Sequence, residues 1–113
     1  MIQATVHYDE SQRIDSFQIT GHADSGEYGQ DIVCAAVSVL AITTVNGLQR
    51  VAQIPIDVEN RDQAGGFLEV HLPPKLEATT ELKGQAILQS FADGLRDVAT
   101  NYTDFVTYHK VTN

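Results

Sequence analysis

The segment DIVCAAVSVLAITTVNGLQRV, residues 31–51, decides how this chain folds. Its apolar residues, among them Ile32, Val33, Val37, Val39, Leu40, Ala41, Ile42, Val45 and Leu48, cover most of a helix circumference and not a single stripe. A helix that is apolar nearly all round must be covered on both sides. In so small a domain a sheet covers one side only, so a second copy of the chain is expected on the other, as a twofold dimer. Ser38, Thr43, Thr44, Asn46, Gly47, Gln49 and Arg50 interrupt the run, which on that ground reads as too polar to cross a bilayer.

Toward the N-terminus, Ile2 to Tyr8 alternates apolar and polar residues, with Ile2, Ala4, Val6 and Tyr8 on one face of a strand. This alternation predicts a strand and not a signal peptide. Asp9-Glu10-Ser11-Gln12 is a turn, and Ile14 to Thr20 returns as the second strand of a hairpin. Toward the C-terminus, Ile56 to Arg61 and Phe67 to Leu72 form a second hairpin around Asp62-Gln63-Ala64-Gly65-Gly66, closed by Pro73-Pro74. A second helix is predicted from about Thr80 to Tyr102, with Thr79 or Thr80 as N-cap and Glu81 in the first turn. Leu88, Phe91, Ala92, Leu95, Val98, Ala99 and Tyr102 give it one apolar stripe. Phe105 to Val111 closes the chain as a strand. The order is ββαββαβ, an α+β fold with a mostly antiparallel five-stranded sheet and two helices, in a single domain spanning residues 1–113.

Fifteen acidic residues against seven basic ones give a formal charge of −8. That field repels phosphate backbones, so direct nucleic-acid binding is not expected; it would attract a basic partner, although an acidic surface most often serves only solubility. With one cysteine there is no internal disulfide and no paired-cysteine metal motif, and a lone thiol suits a reducing, cytoplasmic compartment. No metal or cofactor is expected, because His22 and Cys34 make only two ligands, while His7, His71 and His109 fall in separate strands.

Cys34 stands near the start of the central helix. With Asp31 as N-cap it would occupy the first turn, where unpaired amides and the positive end of the helix dipole favour an anion. The amides of Ile32 to Cys34, and of Ala35, would then be available to an oxyanion. His22 ends the second strand and is joined to the helix by a loop carrying Gly26 and Gly29, with Gly21 before it. Those glycines allow a loop to open for an extended peptide and close over it. Residue chemistry alone leaves two readings open: Cys34 is a nucleophile activated by His22, or it is a small buried hydrophobe in an alanine-rich helix. Asp31 is likewise either a cap or the group that orients His22. Ser38, one turn beyond Cys34, shares its helix face and either bonds within the site or bonds the carbonyl of residue 34.

The segments Gly21-His22-Ala23 and Gly29-Gln30-Asp31-Ile32-Val33-Cys34-Ala35-Ala36-Val37-Ser38 resemble the signature of the ribosomal-processing cysteine protease Prp family. The resemblance implies a homodimeric bacterial endopeptidase that removes the N-terminal extension of a large-subunit ribosomal protein, cutting in an apolar and aromatic motif just before the basic mature sequence. It also implies Cys34 as nucleophile and His22 as general base and acid, with Asp31 and Ser38 in support. An acidic enzyme suits a basic ribosomal precursor, and extension of a sheet edge is a recognition mode open to it. The alternative is a non-catalytic dimeric adaptor that binds a ribosomal protein or assembly factor through the same cleft.

Overall fold

The computed structural model describes residues 1–21, 30–61 and 66–113, with side chains from Ile32 onward in the first helix. The chain runs β1 (Ile2–Tyr8), β2 (Ile14–Thr20), α1 (Gln30–Asn46), β3 (Asp57–Arg61), β4 (Phe67–His71), α2 (Ala78–Asn101) and β5 (Val106–Thr112). The strands form one sheet in the order β3-β4-β2-β1-β5. Three of the four pairings are antiparallel, and β5 lies parallel to β1 with Ile2 opposite Val106. The ββαββαβ order and the α+β class are as predicted.

Period-two alternation decides which face of the sheet is covered. Ile2, Ala4, Val6 and Tyr8 of β1 are buried, and Phe17 of β2 pairs with Val6 and Val70 in one apolar row across three strands. Leu88, Phe91, Ala92 and Leu95 of α2 and Val33, Val37 and Ala41 of α1 complete that core. Phe17 and Phe91 meet with ring centroids 4.5 Å apart. The opposite sheet face carries Thr5, His7, Gln18, Glu69 and His71, none of them buried. Of the strand histidines, His71 is paired with Glu69 at 3.0 Å.

The turn after β1 is built by Asp9, whose Oδ1 accepts from the Ser11 hydroxyl and from the amides of Ser11 and Arg13. The Ser11 hydroxyl, with those amides, holds the Asp9 carboxyl below the usual carboxylate range.

Two helix boundaries differ from expectation. α2 opens at Ala78, two residues early, with Glu77 rather than Thr79 or Thr80 at the cap position and no side-chain cap bond. Tertiary contacts override the threonine preference here: Arg13 Nε donates to Glu81 and its Nη2 to the Pro73 carbonyl, both at 2.6 Å. Gln85 also exchanges two hydrogen bonds with the Ile14 backbone. At the other end Tyr102 is an exposed C-cap and does not continue the apolar stripe.

α1 opens at Gln30, so Asp31 lies inside its first turn and not ahead of it as a cap. The helix continues through a wider turn at Gly47–Val51, where the Ala52 amide donates to the Gly47 carbonyl five residues back. Ile32–Val51 is long and apolar enough to cross a membrane, with a mean hydropathy of 1.8, which corrects the reading that its polar residues disqualify it. The interrupting side chains are mostly uncharged, Arg50 excepted. In the fold, Val33, Val37, Ala41 and Leu48 of this stretch face the core.

Candidate active site

α1 lies over one end of the sheet and leaves a cleft of about 300 Å³ beneath its N-terminal half. Ile2, Ile19 and Leu68, from the ends of three neighbouring strands, give it an apolar floor, and Val37, Ala41 and Ile42 give it an apolar roof. Cys34 and Ser38, one helical turn apart, line the same cleft, as their spacing predicted. Cys34 is partly buried and Ser38 exposed, so the thiol is neither sealed in the core nor fully in solvent.

The N-terminal end of α1 directs its positive dipole end toward this region. In a helix opening at Gln30 each amide bonds four residues back, so Cys34 and Ala35 are committed to the carbonyls of Gln30 and Asp31. The amides without a partner inside α1 are those of Gln30 to Val33. The amides open to an outside acceptor therefore lie toward the helix start, ahead of Cys34.

Gly21 closes the strand side of the cleft. Its φ is +89°, a region open to glycine, and its amide donates to the Gly66 carbonyl at 3.2 Å. A Cβ at this position would overlap the Met1 carbonyl oxygen. Gly21→Ala is accordingly expected to cost about 1–3 kcal/mol, read as a lowered midpoint in thermal unfolding. An unchanged midpoint would contradict this geometry. Gly21 is thus required by a fixed backbone shape, whatever hinge role the following loop takes.

His22, Gly26 and Gly29 lie outside the described residues, as does the side chain of Asp31. Among the described residues no group of three or more His, Cys, Asp or Glu side chains is placed to hold a metal ion.

Sequence reasoning missed the cleft's other wall. Asn60 and Arg61 end β3, and Phe67 begins β4. The Arg61 guanidinium lies 4.1 Å above the Phe67 ring. Arg61 and Phe67 are register partners, a pairing available by counting outward from the hairpin loop. Their closeness to Cys34, however, depends on the β4–β2 register, which no local pattern encodes.

The family model described as Cysteine protease Prp matches residues 1–107. The ribosomal processing cysteine protease Prp of Bacillus subtilis is 31% identical over 106 residues, covering 92% of each chain. A crystal structure of a Streptococcus mutans protein superposes with a TM-score of 0.89 at 36% identity, over all of this chain and 96% of that one. The essential ribosomal processing protease Prp of Staphylococcus aureus, solved in complex with a substrate peptide, superposes with a TM-score of 0.83 at 26% identity, over 97% of this chain and 99% of that one. In sequence over nearly its whole length, and in fold, this chain belongs to the cysteine protease Prp family.

Proposed function

We propose that the protein removes the N-terminal extension of a bacterial large-subunit ribosomal protein by cysteine endopeptidase chemistry, with Cys34 as nucleophile and His22 as general base and then acid. The observation that carries this reading is that the chain's only cysteine lines a cleft of about 300 Å³ in a fold shared with a protease solved with a substrate peptide. His22 takes the Cys34 proton, and the sulfur attacks the scissile carbonyl carbon. The oxygen that gains charge accepts hydrogen bonds from amides at the start of α1. Collapse expels the amine, protonated by His22, and leaves the N-terminal fragment as a thioester on Cys34. Water, deprotonated by His22, then releases it. Asp31 is assigned to orient His22, and Ser38 to supply a polar group beside the sulfur. The route calls on no cofactor.

The test is to incubate the protein with a precursor peptide that carries the apolar extension and the basic start of the mature sequence. Two fragments in the mass spectrum are expected. An intact peptide, bound but uncut, would favour an adaptor instead.

A dimer belongs to the same proposal. Ile32, Val39 and Ile42 are at least 60% exposed and lie on the side of α1 opposite its core-facing residues. Ile42 also lines the cleft, so a second copy packed on this stripe would stand beside Cys34. Val39→Asp is expected to convert a dimer to a monomer in light scattering. A wild-type mass of one chain at micromolar concentration would refute the dimer.

A further inference from the structure

Of the sheet's two edges, only β3 runs into the cleft. Asn60 and Arg61, its last residues, line the cleft with Cys34, while no residue of β5 does. β4 pairs with one side of β3, and among the described residues no strand pairs with the other. Such an edge presents a row of amides and carbonyls to any extended chain that approaches it, and charge is the usual guard against unwanted pairing. Here the charges are ordered. On the sheet face away from the helices, Arg61 stands at the cleft, and Glu59 and Asp57 follow at two-residue steps along the edge. Glu69 of β4 is directly opposite Glu59, a like-charge pairing with His71 against Glu69 at 3.0 Å and Arg61 against Glu59. Arg61 approaches Glu59 only to 3.5 Å and is laid over Phe67, on the cleft side of that pair.

We propose that β3 is the substrate-docking strand. The part of the peptide that leaves the cleft lies along the outer edge of β3 as an added strand, with lysine or arginine at alternate positions over Glu59 and Asp57. Two-residue alternation puts those side chains on the carboxylate face, and the intervening ones turn to the helix side, where Asn60 opens into the apolar cleft. Main-chain pairing supplies affinity without demanding a fixed sequence, and the carboxylates set which flank of the peptide lies outside. The proposal rests on reading the cleft as a peptidase site.

The experiment uses the full-length protein and the precursor peptide, N-methylated at one backbone position at a time along each flank. Along one flank, methylation at every second position is expected to raise KM about tenfold, the worth of one main-chain hydrogen bond, with the intervening positions nearly silent. Asp57→Lys with Glu59→Lys is expected to raise KM for peptides with lysine at the alternate positions and to lower it for peptides with glutamate there. Cleavage of the unmodified peptide is measured first, so its absence would sink the peptidase reading by itself. Cleavage with no alternating dependence on either flank, or with no charge-swap response, would overturn the docking strand and leave the peptidase standing. Loss of dimer mass in the double variant would also overturn it, because a second copy would then occupy the edge.

Discussion

Cys34→Ala is expected to lower kcat/KM for the precursor peptide by about 10⁴-fold or more, and His22→Ala by a similar factor. In the proposed mechanism the two residues act as one unit, because a thiol without its base and a base without its thiol fail at the same step. The double variant should therefore be little worse than either single one. Timed fragment yields by mass spectrometry, with circular dichroism to show that each variant folds, make the comparison. Additive losses, or near-full activity in either variant, would remove that residue from the reaction. Asp31→Asn should cost less, since the proposal has Asp31 act only through His22.

The largest structural effect is expected at Phe17. It is fully buried, pairs with residues of both neighbouring strands and packs against Phe91 of α2, so it joins the sheet to the helix layer. Phe17→Ala should cost about 3–5 kcal/mol from lost transfer energy and the cavity left behind. Set against a typical stability of about 5–15 kcal/mol for a domain of this kind, that is a large share. At about 4 °C per kcal/mol the midpoint of thermal unfolding should fall by about 12–20 °C. A drop of a few degrees would show that the core collapses around the gap. The Phe17–Phe91 contact would then carry little of the link between the layers.

Local periodicity made the strands legible: the alternation in Ile2–Tyr8 and Ile14–Thr20 reports a sheet covered on one face, and the strand bounds follow directly. The all-round apolar character of α1 raised the expectation of a second covered side, and Ile32, Val39 and Ile42 are the apolar residues it leaves exposed. Helix starts were less legible, because cap preference is a weak local term. At α2 the reach of Arg13 to Glu81 outweighed a threonine cap, and at α1 the helix began one residue before the aspartate that looked like one. The pairing of β5 with β1 joins the two ends of the described chain, and its parallel sense has no short-range signal.

The site divides in the same way. Cys34 and Ser38 share a helix face, so their meeting in one cleft follows from 3.6-residue periodicity. Asn60, Arg61 and Phe67 reach that cleft only through the β3–β4–β2 register, a non-local property that residue spacing does not carry.

The most direct test is to trap the acyl-enzyme. Mixing the protein with excess precursor peptide, quenching in acid within the first turnover and weighing the intact chain should show added mass equal to the N-terminal fragment less one water. Digestion should place that adduct on the segment containing Cys34. Cys34→Ala should show neither the adduct nor cleavage. Cleavage that persists in Cys34→Ala, or an adduct on a segment lacking Cys34, would contradict the account.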